Sequence, residues 1–133
     1  SLHMLMTCEP QIKEIGDLIS RTDVLLFGIG TAMRMADQRH ITDDVRKQLV
    51  DNHAVGEALG QYCDIEGKLI YSTNNIGLSL PDVVKVPNVI AVAGGQEKAS
   101  AIIGVMRACQ KGILIIDEQA AEGMRQLLQI SAL

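Results

Sequence analysis

Two glycine-rich stretches, each closing an aliphatic run, are the places in this sequence best suited to hold an anion. In Gly28-Ile29-Gly30-Thr31, Gly28 and Gly30 let backbone amides approach a charged group closely, and the Thr31 hydroxyl adds a donor. The same residues also read as a tight turn from strand to helix. They match only the opening of a dinucleotide fingerprint. Met33 stands where the third glycine belongs, and the acidic partner about 20 residues on falls at Asp43-Asp44, a helix start.

Gly94-Gly95-Gln96-Glu97-Lys98 carries more chemistry. The Gly94-Gly95 pair exposes N–H groups, and Lys98 in the first turn of the following helix adds a full charge. A lysine there opposes the helix dipole by roughly 0.3–1 kcal/mol, and a bound phosphate reverses that penalty. A surface lysine beside Glu97 is the plainer reading. This is not a P-loop, because the Gly-Lys-Ser/Thr ending is absent. Arg39, with Arg34, Gln38 and His40 around it, lies just past the first glycine stretch and offers a fork for a phosphate, although most surface arginines hold none. Glu57 is an acidic residue in a run of small and apolar ones. It either accepts hydrogen bonds from sugar hydroxyls or faces water.

No catalytic constellation and no metal site emerge. His40 and His53 lack Cys, Asp or Glu partners at ligand spacing, and there is no Gly-x-Ser-x-Gly elbow. Cys8, Cys63 and Cys109 are widely separated, which suits free, mostly buried thiols in a reducing cytoplasm rather than a disulfide framework. The chain carries a net charge of −4 with no basic cluster, so it does not hold nucleic acid by itself. Without Trp and with one Phe and two Tyr, it also lacks stacking platforms for single strands. No apolar run reaches the roughly 18 residues of a membrane span.

The elements that must position these residues alternate between strand and helix. Gln11 to Arg21 places Ile12, Ile15, Leu18 and Ile19 on one helical face, with Pro10 suited to the first turn. Asp23 to Gly28, Val89 to Ala93 and Ile113 to Asp117 are continuous aliphatic runs that read as strands buried on both faces of a parallel sheet. Thr42-Asp43-Asp44 starts a helix running to Asp51, and Ala54 to Gln61 reads as another short helix. Lys68 to Ser72 is a strand after the turn at Asp64 to Gly67. Gln96 to Cys109 and Glu118 to Gln129 are helical. The expectation is an α/β fold with a parallel sheet. In such sheets ligands sit beyond the carboxyl ends of the strands, which selects residues 28–31, 94–96 and 117–118.

Several segments in one order carry a resemblance. They are Glu9-Pro10-Gln11-Ile12-Lys13-Glu14-Ile15, Leu26-Phe27-Gly28-Ile29-Gly30, Met35-Ala36-Asp37-Gln38-Arg39, and Ala54-Val55-Gly56-Glu57-Ala58-Leu59-Gly60-Gln61-Tyr62. Val86-Pro87-Asn88 through Gly94-Gly95, Lys98-Ala99-Ser100-Ala101-Ile102 and Ile116-Asp117-Glu118-Gln119-Ala120-Ala121 follow. Together they resemble the sugar-binding domain of SorC/DeoR-type transcriptional regulators, and most of all its glycolytic subtype.

That resemblance implies a Rossmann-like fold similar to sugar-phosphate isomerases and deaminases of the NagB/RpiA/CoA-transferase kind. It implies a non-enzymatic, cytoplasmic, homo-oligomeric regulator (dimer or tetramer) without cofactor or membrane attachment. Its DNA affinity would respond to a phosphorylated sugar, fructose 1,6-bisphosphate in the glycolytic subtype. The family's ligand positions fall on the glycine loop ending at Gly30, on Glu57 and on Lys98, with Gly94-Gly95 beside it. The subtype often carries two arginines where this chain has Gln38-Arg39, and Gln38 cannot replace a charge. The family's domain also begins with a Gly-Gly-Thr-Thr loop and follows a helix-turn-helix headpiece, and neither occurs in these residues. The chain is therefore expected to be the C-terminal half of one effector-binding domain, contacting operator DNA only through a part outside it. The alternative is a sugar-phosphate isomerase or deaminase of similar fold. A nucleotide-binding Rossmann module is disfavoured by Met33.

Overall fold

The three aliphatic runs pair in parallel, as their sequence predicts. In the computed structural model, which describes residues 4, 8–73 and 76–129, a helix α1 (Pro10–Ser20) precedes strand β1 (Val24–Gly28). Strand β1 lies beside β6 (Asn88–Ala93), which lies beside β7 (Ile113–Ile116). Gly28 is level with Val92, and Ala93 with Ile116, so all three strands end along one edge of the sheet.

Helix α4 (Ala99–Cys109) follows a 3-10 turn at Gln96–Lys98 and is apolar nearly all round. Such a helix must be enclosed. Its Ala101, Ile102 and Val105 share one core with Phe27, Val89 and Ala91 of the parallel sheet and with Ala58 and Cys63 of a second sheet. Helix α5 (Glu118–Leu128) packs along α4.

The second sheet is antiparallel. It consists of β2 (Gly30–Thr31), β3 (Gly56–Ala58), β4 (Gln61–Cys63) and β5 (Leu69–Ser72) in that order. Helices α2 (Ala32–Gln38) and α3 (Asp43–Asp51) share a smaller core with it, made of Ala32, Ala36, Leu49 and Tyr62. Asp64 accepts the N–H groups of Glu66 and Lys68 to close the expected turn before β5.

The structure corrects two expectations. Ala54 to Gln61 is a β-hairpin rather than a helix. Leu59 and Gly60 both adopt left-handed backbone, with φ of 54° and 78°, which a two-residue hairpin turn of the primed type requires and a helix forbids. The strands of the parallel sheet are also covered on one face only. Leu26 and Ile113 are each 66% exposed, and Val24, Val92 and Ile115 are exposed with them. Alternate residues face α4, and the others find no second layer. The described residues of α1 supply none, because none of them is buried.

Candidate functional site

The site lies at the carboxyl edge of the parallel sheet, where the chain leaves β1 and enters the second sheet. The two-residue strand β2 pairs antiparallel with β3, and the register sets Gly30 directly opposite Glu57. A Cβ at Gly30 would stand 2.5 Å from Met35 Cγ and 4.0 Å from Glu57 Oε2, so the glycine leaves open the space above the carboxylate.

Glu57 is 3% exposed, unusual for a carboxylate without compensation. The Gly60 N–H donates to its Oε1 at 2.7 Å, tying the carboxylate to the hairpin turn that follows it. Arg39, the residue that ends α2, donates from Nη2 to the same Oε1 at 3.0 Å. Both partners depend on correct folding of segments remote from Glu57 or on the tight turn. Tyr62, the cross-strand neighbour of Glu57, is fully buried with its hydroxyl unpartnered among the described residues. Burial pushes the Tyr62 phenol pKa up, and the Glu57 charge pushes it further.

Lys98 closes the 3-10 turn before α4, and that turn packs beside β2. Its ammonium makes no ion pair among the described residues. A cleft of about 520 Å³ results, with Gly28, Gly30, Arg39, Glu57 and Lys98 in its wall. Arg34, Gln38 and the apolar groups of Met35, Leu59 and Val92 complete it. The volume is typical of small-molecule sites, which span roughly 300–1,000 Å³. Three cations and one carboxylate line it, a net of two positive charges in a chain whose net charge is −4. Such local concentration of one sign focuses field and attracts an anion.

The other sequence-selected residues fall outside the cleft wall. Thr31 precedes α2, its side chain making no capping bond, and pairs with Gly56. Gly94 and Gly95 turn toward the end of β7. The Gly95 N–H is shared by the two carboxylate oxygens of Asp117 at 3.1 and 3.0 Å, and so is not a free donor for a phosphate. A Cβ at Gly94 would lie 2.9 Å from the same carboxylate. Asp117 also accepts the Ala120 N–H at 2.8 Å, capping α5. These two backbone bonds, the one from Ala120 foremost, hold the Asp117 carboxyl below its ordinary range. The Gly95 amide is thus held in a structural brace, and Lys98 is the residue of this turn that lines the cleft.

Among the described residues no three His, Cys, Asp or Glu side chains gather as a metal site, and no helix is long and apolar enough to cross a membrane. Sequence reading missed the apolar part of the cleft wall and the Gly60 contact. Gly60, a residue suited to a turn within an otherwise helix-favouring run, was the available signal for the latter.

Comparison with known proteins identifies the family. The family model described as "Putative sugar-binding domain" matches residues 1–126. The chain is 37% identical over 114 residues to the central glycolytic genes regulator of Bacillus subtilis, covering 86% of this chain and 34% of that protein. It is 40% identical over 114 residues to the regulator of the same name from Priestia megaterium, covering 86% and 33%. A crystal structure described as a "putative SorC family transcriptional regulator from Enterococcus faecalis" superposes with a TM-score of 0.82 at 38% identity, covering 92% of this chain and 50% of that one. The chain therefore spans about a third of the length of these curated relatives. It belongs to the sugar-binding domain family of SorC/DeoR-type transcriptional regulators.

Proposed function

We propose that the cleft is the effector site of a cytoplasmic, homo-oligomeric transcriptional regulator, and that its ligand is a phosphorylated sugar rather than a substrate to be turned over. The observation that carries this reading is the cleft's charge: an unpaired Lys98 faces a space floored by a buried carboxylate, and the net charge there is positive. Lys98 takes a phosphate through a charge-assisted bond. Glu57, with Oε2 beneath Gly30, accepts sugar hydroxyls. The backbone at Gly28 and Gly30 allows close approach, and the Arg39 guanidinium, bonded to Oε1, holds the carboxylate in place.

A ligand held there favours one of two subunit arrangements, and DNA affinity follows through a part of the protein outside this chain. The exposed face of the parallel sheet is where the other half of the domain packs. That fits the relation of this chain to the Enterococcus faecalis structure, half of which it matches.

Calorimetric titration of sugar phosphates into the intact protein tests the proposal, with fructose 1,6-bisphosphate first because of the glycolytic relatives. Saturable binding is expected, weakened about tenfold or more by Lys98→Ala with the thermal midpoint little changed. Unaltered affinity in Lys98→Ala would remove the proposed phosphate ligand. Turnover of a sugar phosphate by the intact protein would favour an enzyme instead.

A further inference from the structure

Lys98 carries the charge that a bound phosphate needs, yet the turn that bears it has little to hold its own shape. Gln96–Lys98 is a single 3-10 turn, closed by the Lys98 N–H donating to the Gly95 carbonyl at 3.1 Å. One turn of this kind is marginal by itself. Gly95, just ahead of it, has a φ of 100°, a conformation that glycine permits but does not enforce. The position of the turn must therefore be set from outside it.

Helix α5 sets it at two points. Asp117, the N-cap residue of α5, receives the Gly95 N–H on both carboxylate oxygens, at 3.1 and 3.0 Å. Further along α5, Gly123 lies flush against the same turn. A Cβ there would stand 2.9 Å from Ala99 Cβ and 3.1 Å from the Gln96 carbonyl oxygen.

The bonds at Gly95 run in series. Asp117 holds the N–H of Gly95, and the carbonyl of the same residue holds the N–H of Lys98. Asp117 stands outside the cleft wall that Lys98 lines, so its effect on a ligand passes through this short stretch of backbone. Capping α5 does not by itself require a carboxylate. The Ala120 N–H donates to Asp117 Oδ1 at 2.8 Å, a bond that asparagine supplies as well. An asparagine oxygen set on Ala120 turns the amide N–H groups toward the Gly95 N–H, donor against donor. Without the grip on Gly95, ligand binding must order the turn as well as the lysine side chain, and affinity falls.

We propose that Asp117 is a positioning residue of the effector site, fixing through Gly95 the turn from which Lys98 enters the cleft. This role rests on the proposed function, since it presupposes that Lys98 takes an anionic group of the ligand.

The test is calorimetric titration of the intact protein with fructose 1,6-bisphosphate, and with fructose 6-phosphate as a second probe. It compares wild type, Asp117→Asn, Asp117→Ala, Lys98→Ala, and Asp117→Asn combined with Lys98→Ala. Asp117→Asn keeps the cap of α5, so its thermal midpoint should stay near wild type while affinity falls about three- to tenfold. Asp117→Ala should lose midpoint and affinity together. In the Lys98→Ala background, Asp117→Asn should weaken binding by less than about twofold, because the group it positions is gone. Hydrogen exchange of the ligand-free protein gives a readout independent of binding. Asp117→Asn should speed exchange severalfold at the Gly95 and Lys98 amides and leave the Ala120 amide protected. Unchanged affinity in Asp117→Asn, an equal loss with and without Lys98, or exchange at residues 95 and 98 as slow as in wild type would each overturn the positioning role, even with Lys98 confirmed. Wild-type protein that binds neither sugar phosphate, or whose affinity Lys98→Ala leaves unaltered, would instead overturn the proposed function, and this role with it.

Discussion

Replacing Glu57 by alanine should reveal how much of the hairpin's stability runs through one buried carboxylate. In the folded chain Glu57 Oε1 accepts from the Gly60 N–H at 2.7 Å and from Arg39 at 3.0 Å. Alanine leaves the buried Gly60 N–H without its acceptor, at a cost of about 1–3 kcal/mol. Loss of the ion pair adds less than the 3–5 kcal/mol of a fully buried pair, because the Arg39 side chain is 39% exposed and regains water. A total near 2–3 kcal/mol is expected, which for a chain of this size lowers the thermal midpoint by roughly 5–12 °C. Glu57→Gln keeps an oxygen for Gly60 and surrenders only the charge, so it should fall between wild type and alanine. Denaturant unfolding followed by circular dichroism measures all three. If Glu57→Ala were within about 0.5 kcal/mol of wild type, the carboxylate would not be holding the turn.

Four further outcomes follow from the same structure. Gly30→Ala places a methyl against Met35, a flexible side chain that yields, so stability should drop by only about 1 kcal/mol while sugar-phosphate affinity falls severalfold; unchanged affinity would put Gly30 outside the site. Cys8 is exposed while burial pushes the Cys63 thiol up to about 12 and Cys109 to about 11, so at pH 8 a thiol reagent should modify one group quickly and the others only on unfolding. As pH rises above 9 the unfolded chain loses these two protons before the folded one does, so stability should decline from pH 9 toward 12. Leu26→Thr with Ile113→Thr should shift the stability of the isolated chain by about 0.5 kcal/mol or less, both side chains being exposed, but should cost the intact protein about 2 kcal/mol or more per site if its other half covers that face. Equal, small effects in both would contradict that packing.

The parallel strands were legible because short continuous aliphatic runs, two of them ended by glycine, have few other uses, and the helices after them began within a few residues of where capping and periodicity placed them. Residues 54–61 were not legible. Ala, Glu and Leu favour helix taken singly, and the hairpin is decided by the pairing of Gly30 with Glu57 and by the Leu59-Gly60 turn. Long-range pairing leaves no local periodicity to read. The same limit explains Gly94-Gly95: two glycines before a helix look like free donors until Asp117, 22 residues beyond Gly95, takes the second N–H. The exposed sheet face illustrates a third case, since an aliphatic run reads alike whether or not a second layer is present. Lys98, Arg39 and Glu57, singled out by residue type and position, stand in the wall of one cleft. That the Arg39 guanidinium bonds to Glu57 required the fold.

The most direct measurement is a crystal structure of the intact protein grown with fructose 1,6-bisphosphate. A sugar phosphate seated in the cleft is expected, with a phosphate oxygen within hydrogen-bond reach of Lys98 Nζ and a sugar hydroxyl on the Glu57 carboxylate. Density for the ligand elsewhere, or a cleft filled by the protein's own side chains while ligand is bound, would contradict the account.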